Sequence, residues 1–270
     1  MKCKKLMIAA GIIAGLLIII VVTLMILSRA LIYVPAPYNK TDVQAKVAAD
    51  PAIDEIFLDA DGARLHGYVI TNTESENAPW AVYFGGQGDE AFRYADTFRE
   101  IKNCNFVMFN YRGYGLSTGT PTEQTLFADA ETIYQDMKKT YMDRESPLYI
   151  MGFSLGSGVA VSLASTHQPK MLFLSAPYDS VRSVARNYLP DFVLSIFLHE
   201  DFDSLSRIKN ITCPVLVFAT PEDHVIKLKH TQTLFNAMSE PKQLFLVPDV
   251  KHWEIVSSNI FSAVSREQIR

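Results

Sequence analysis

The sequence predicts an α/β protein built on a mostly parallel, doubly wound sheet with a small helical cap, preceded by one N-terminal transmembrane helix. Three observations predict it. Brief apolar runs alternate with helix-like segments at crossover spacing. An uncharged apolar stretch near the N-terminus is long enough to span a bilayer, and residues 178–208 break the strand–helix rhythm.

The apolar stretch comes first. Leu6 to Leu27 carries no charge, and its 22 residues, at about 1.5 Å each, cover about the 30 Å of a hydrocarbon core. Lys2, Lys4 and Lys5 precede it, whereas Arg29 and Lys40 are the first cations after it. Positive charge concentrates on cytoplasmic flanks, so the N-terminus is expected in the cytoplasm and the rest of the chain on the extracytoplasmic side. A cleaved signal peptide is the alternative. Its apolar region usually runs about 7–15 residues and ends at a small-x-small site, which Ser28-Arg29-Ala30 fits poorly. We expect a single-pass, uncleaved anchor within residues 1–28. A Pro-containing polar connector then covers 29–52, and one folded domain covers 53–270.

Within that domain, Glu55–Leu58 and Arg64–Ile70 flank Asp59-Ala60-Asp61-Gly62, and an Asp-Gly turn between β-rich runs predicts a hairpin. Trp80–Phe84, Phe106–Asn110, Leu148–Met151, Met171–Leu174, Val215–Ala219 and Gln243–Val247 are each brief and apolar, as strands buried on both faces are. Helices are expected from Thr122 to about Tyr141, after Ser154, and over about Lys229 to Met238. Thr122 and Thr125 supply a start signal for the first of these. Residues 178–208 hold the apolar segment Tyr188 to Leu198 and read as a cap inserted over the C-terminal edge of the sheet.

Composition excludes other classes. A net charge of −4 with no clustered basic face gives no footprint for nucleic acid. Three scattered cysteines, Cys3, Cys104 and Cys213, make neither a disulfide framework nor a zinc site, and the last two read as unpaired core thiols.

The chemistry centres on Gly152-Phe153-Ser154-Leu155-Gly156, a G-x-S-x-G sequence between the strand and a helix-compatible run. The pentapeptide alone is weak, since a chain of this length holds ~0.1 by chance at ordinary Gly and Ser frequencies. Its strand–turn–helix context raises its weight. A hydroxyl nucleophile needs a base, and the base needs an orienting carboxylate, in the chain order Ser, acid, His. Asp223 and His252 each fall just past a strand, in that order. Glu222 and Asp179 are the competing acids. His66, His167, His199, His224 and His230 are weaker bases by position. The oxyanion donors expected are the N–H of Leu155 and, from the Gly-rich loop Gly85-Gly86-Gln87-Gly88-Asp89, that of Gln87, with Gly86 next. No metal or organic cofactor is required by this chemistry, and Walker spacing is missing from the Gly-rich loop.

From about Ile53 onward the chain resembles the membrane-tethered branch of the alpha/beta-hydrolase superfamily, which holds serine-aminopeptidase-like hydrolases, esterases and acyl-protein thioesterases. Asn110 to Ser117 is similar to that family's D-Y-R-G-x-G-x-S segment, and Gly119 to Glu123 to its G-x-P-[ST]-E stretch. The elbow around Ser154, the acid loop Glu222 to Ile226, and Pro248 to His252 resemble its remaining motifs. Two positions depart from it: Gly85-Gly86-Gln87-Gly88-Asp89 replaces His-Gly-Asn-Ala-Gly, and Asn110 replaces Asp. The resemblance implies an alpha/beta-hydrolase fold and acyl transfer by Ser154, Asp223 and His252. The substrate would be a small acyl ester, a lipid-like ester or a lipidated protein, with the membrane engaged through residues 6–27. Two alternatives accompany it: an aminopeptidase-type peptidase, and a catalytically silent binding module on the same fold.

Overall fold

Among the described residues, eight strands pair into one sheet. They are β1 (Ile53–Ala60), β2 (Ala63–Ile70), β3 (Trp80–Phe84), β4 (Asn105–Phe109), β5 (Leu148–Phe153), β6 (Met171–Ser175), β7 (Val215–Ala219) and β8 (Lys242–Leu246). The structure is a computed structural model that describes residues 2–270. Within the first helix it describes the side chains of residues 4, 11–13, 15, 16, 18–24 and 28–32. The side chains of Lys2, Cys3 and Lys5, on which the sequence reading drew, lie outside the described residues.

The strand order is β1-β2-β4-β3-β5-β6-β7-β8. β1 and β2 form the expected antiparallel hairpin, with Gly62 in its turn at φ +74°, a conformation that side chains resist. β2 is antiparallel to β4, and every later pairing is parallel. Alternate residues of the central strands divide between two cores. Val82, Val107, Ile150, Leu172 and Val217 face one layer, and Tyr83, Met108, Met151, Phe173 and Phe218 face the other. With both faces covered, the strands read as continuous apolar runs. The helices α3 (Ala95–Arg99) and α10 (Asn259–Gln268) cover the aromatic face, while α4 (Glu123–Thr140), α5 (Leu155–His167) and α9 (Leu228–Ala237) cover the aliphatic one. The start of α4 is a reciprocal cap: Thr125 N donates to Thr122 Oγ1 at 3.0 Å, and Thr122 N donates to Thr125 Oγ1 at 2.8 Å.

The first helix, α1 (Lys2–Ile32), is long and apolar enough to cross a membrane, and it exposes Ile12, Ile13, Leu16, Ile18, Ile19, Ile20 and Val22. It continues five residues past Leu27 because its last turn is held by the folded domain. Ser28 Oγ donates to the carbonyl of Phe197 at 3.1 Å, Arg29 Nε meets Glu200 Oε1 at 2.9 Å, and Ile32 and Tyr33 are buried. The stretch read as a connector therefore begins as packed helix. It also carries a second helix, α2 (Lys40–Ala49), capped by Asn39 and resting Val43 and Val47 on the aromatic core. Residues 178–208 form three short helices, α6 (Val181–Ala185), α7 (Asp191–Phe197) and α8 (Ser204–Arg207).

One buried ion pair ties the hairpin to the helical layer. Arg112 Nη2 and Nε reach Asp129 Oδ1 and Oδ2 at 2.7 and 2.9 Å, and Nη1 donates to the carbonyl of Asp61 at 3.2 Å. Both residues are buried. Arg112→Ala would strand the Asp129 carboxylate, and breaking such a pair costs about 3–5 kcal/mol. The expected result is a lower denaturant midpoint at unchanged slope.

Candidate active site

Ser154 sits between β5 and α5 at φ 51° and ψ −120°, a conformation that costs an ordinary side chain about 1–3 kcal/mol. The turn is held by backbone: Ser154 N donates to Ser175 O on β6 at 2.9 Å, and Ser157 Oγ donates to Ser154 O at 2.6 Å. The flanking glycines are steric requirements. A Cβ on Gly156 would lie 2.1 Å from the carbonyl oxygen of Phe84, and one on Gly152 would lie 2.5 Å from that of Gly156. Gly156→Ala must push β3 and α5 apart, and such overpacking costs about 1–3 kcal/mol or more. We expect a lower melting temperature together with lost activity, read by calorimetry and ester turnover.

Asp223 lies in the loop after β7. Its Oδ1 accepts from the amides of Val225 and Ile226 at 2.8 and 2.7 Å, which leaves Oδ2 facing His252 Nδ1 at 2.6 Å. His252 follows β8 in a single 3-10 turn, and its ring packs on Phe153 with centroids 4.9 Å apart. Its Nε2 is 2.9 Å from Ser154 Oγ. All three side chains are buried. A carboxylate can only accept, so Nδ1 donates and Nε2 is left to accept the serine proton.

The competing residues are placed elsewhere. Glu222 is exposed and accepts from the Thr220 hydroxyl at 2.6 Å, which holds it below the usual carboxyl range. Asp179 binds His230 at 2.9 Å and Ser183 at 2.6 Å. His66 is fully buried against Glu55 and Asn110, and His167 pairs with Glu131. The exposed His199 bonds its own chain at Phe197 O, and the exposed His224 lines the wall of a cavity above Ser154.

Leu155 opens α5, so its N–H has no intrahelical acceptor. Among the bonds that pin the loop after β3, Asp89 N donates to Gly86 O at 3.2 Å, and Val34 N and the Tyr114 hydroxyl donate to Gln87 O at 3.2 and 2.8 Å. The first of these fixes the peptide plane that carries the Gln87 N–H, for which the described residues offer no acceptor. Gly86 differs from expectation as a second donor. Its N–H is taken by Asp89 Oδ2 at 2.8 Å.

Asp89 is a residue that sequence reasoning missed. Burial pushes its carboxyl above the ordinary range, against the opposing pull of the Gly86 amide and Arg93. Its Oδ1 is 3.3 Å from Arg93 Nε, an i,i+4 pair that the sequence does contain. Two cavities meet at Ser154. The larger, about 410 Å³, is lined by apolar cap residues such as Val181, Leu194 and Phe197 and by Leu31 and Ile32 of α1. The smaller, about 260 Å³, lies on the His252 side and is bounded by Gln87, Arg93, Val225 and Trp253. The contribution of α1 to the larger wall was also not foreseen, because it joins residues far apart in the chain.

The sheet order, the elbow and the helical cap define the chain as an alpha/beta hydrolase. Comparison with known proteins places it further. An uncharacterized protein of Mycobacterium tuberculosis is 31% identical over 228 residues, covering 83% of this chain and 80% of that one. Residues 77–200 match the family profile described as serine aminopeptidase, S33. The human alpha/beta hydrolase domain-containing protein 17B is 32% identical over 153 residues, covering 57% of this chain and 52% of its own length. The chain belongs to the alpha/beta-hydrolase superfamily. Among solved structures, an esterase of Pyrococcus furiosus superposes with a TM-score of 0.64 at 18% identity, covering 87% of this chain and 97% of its own. An enol-lactonase of Burkholderia xenovorans superposes at 0.62 with 17% identity, covering 78% and 98%. At these identities the superpositions bear on the fold.

Proposed function

We propose that the protein is a membrane-anchored serine hydrolase that cleaves an ester or thioester bond through an acyl-enzyme. The observation that carries this is the hydrogen-bonded chain Asp223–His252–Ser154, at 2.6 and 2.9 Å, beside the free amides of Leu155 and Gln87. Ser154 Oγ attacks the acyl carbon while its proton moves to His252 Nε2. Asp223 holds the ring and the imidazolium that forms. The oxyanion receives hydrogen bonds from Leu155 and Gln87, each such donor being worth about 2.7–4 kcal/mol in measured systems. The tetrahedral species collapses, the bond to the leaving oxygen or sulfur breaks, and His252 returns the proton to it. Water then attacks the acyl-enzyme, giving its proton to His252 Nε2. The carboxylic acid leaves and the serine hydroxyl is restored.

The apolar lining of the 410 Å³ cavity supports an acyl group as its occupant. A peptidase acting on free N-termini needs a carboxylate for the amine. The larger cavity has none, and Asp89 in the smaller is already engaged by Gly86 and Arg93. The exposed aliphatic surface of α1 supports its role as the anchor, and the Lys2, Lys4, Lys5 cluster supports a cytoplasmic N-terminus with the catalytic domain outside. The test compares acyl esters and thioesters with aminoacyl anilides. Values of kcat/KM about 100-fold higher for the acyl substrates are expected, since a pocket without an amine partner leaves that charge unpaired. A preference for the anilides would shift the assignment to a peptidase.

A further inference from the structure

The cap exposes an apolar surface of which the α7 part, Phe192 and Ile196, lies outside the cavity that the hydrolase reading uses. Tyr188, Leu189, Phe192 and Ile196 fall within nine residues, and Tyr188 and Phe192 are 65% and 72% exposed. Phe192 and Ile196 are four apart on α7 and share a face, while Leu194 and Phe197 bury the other. A helix on a water-facing surface keeps its polar residues outward, so this face marks a partner.

Position identifies the partner as a lipid bilayer. The Ser28 and Arg29 contacts join the last turn of α1 to the end of α7 and to Glu200 beyond it. On that same turn Leu31 is 66% exposed, and Ile18, Ile19, Ile20 and Val22 continue the apolar surface down α1. The free face of α7 therefore adjoins the place where the anchor leaves the hydrocarbon core. Tyr188 just before α7 is of the type that sits at membrane interfaces, and Phe192 on its free face is of the type that interfacial helices turn toward lipid. The cavity shares this edge, since Tyr188 and Leu189 from the cap and Leu31 and Ile32 from the anchor all line it.

We infer that α7 and the turn before it dock on the bilayer beside the anchor, so that a substrate's acyl chain passes from lipid into the cavity between anchor and cap. The docking rests on the anchor reading, and the route for the acyl chain rests on the hydrolase reading as well.

The full chain is reconstituted in phosphatidylcholine vesicles with brominated acyl chains. The added tryptophan of Phe192→Trp loses emission there, relative to vesicles without bromine. That of Phe57→Trp, an exposed position on β1, keeps its emission. No loss at 192, or equal loss at both positions, overturns the docking. In a second arm, the double variant Phe192→Asp, Ile196→Asp turns over a long-chain acyl ester embedded in vesicles about tenfold more slowly, the equivalent of one lost anchoring contact. It hydrolyses a soluble short-chain p-nitrophenyl ester at the wild-type rate. Wild-type turnover of the embedded ester by that variant overturns the route from lipid. If the unaltered protein hydrolyses neither ester, the hydrolase reading fails, and the quenching measurement still decides the docking.

Discussion

Ser154→Ala is expected to lower ester turnover by roughly 10⁴–10⁶-fold, as removal of a triad nucleophile does in serine hydrolases. The residue makes no side-chain contact that the fold depends on. Its hydroxyl meets His252 Nε2, while the elbow itself is held by the bond from its backbone N–H to Ser175 O and by Ser157 on its carbonyl. Alanine keeps both backbone contacts and occupies no more space. The melting temperature is therefore expected to stay within a few degrees of wild type, the range of a change below about 1 kcal/mol. A loss of activity with an unchanged fold separates the chemical role from a structural one.

Asp223→Asn is expected to cost about 10⁴-fold in kcat, and the reason can be read from the acid loop. The amides of Val225 and Ile226 both donate to Oδ1, so that position must remain an oxygen. Asparagine then presents its NH₂ group to His252 Nδ1, where Oδ2 stands at 2.6 Å in the native protein. Nδ1 must accept, and the ring proton moves to Nε2. In that tautomer Nε2 cannot take the Ser154 proton. Binding of substrate is untouched, so KM is expected to change little while kcat falls, a split that steady-state kinetics reads directly.

The sheet was largely legible because its central strands are buried on both faces. Trp80–Phe84 and Val215–Ala219 have the bounds their apolar runs suggest, and the others shift by one or two residues where the run fades into a turn. The start of α4 was legible from Thr122 and Thr125, whose reciprocal bonds are local. Helices whose stability comes from elsewhere were not. α2 has no buried residue and is held by its Asn39 cap and by Val43 and Val47 on a core made of distant strands. α3 has five residues, too few for a helical period to emerge.

The site divides in the same way. Ser154, Asp223 and His252 were legible because each lies at the end of its own strand, and parallel strands bring those ends to one edge. Residue-level choices needed coordinates. Asp223 and Glu222 are neighbours in sequence, and only the fold shows which of them reaches His252. The engagement of Gly86 by Asp89 depends on how the Gly-rich loop folds back on itself. The pairing of Arg29 with Glu200 spans 171 positions, beyond any local pattern, yet it helps make the end of α1 part of the cavity wall.

The most direct measurement treats the intact protein with a fluorophosphonate and maps the adduct by mass spectrometry of its peptides. A single adduct is predicted on the hydroxyl of residue 154, with none formed once that hydroxyl or the imidazole of residue 252 is removed. A stable adduct on any other side chain, or undiminished labelling in either variant, would contradict the account at its root.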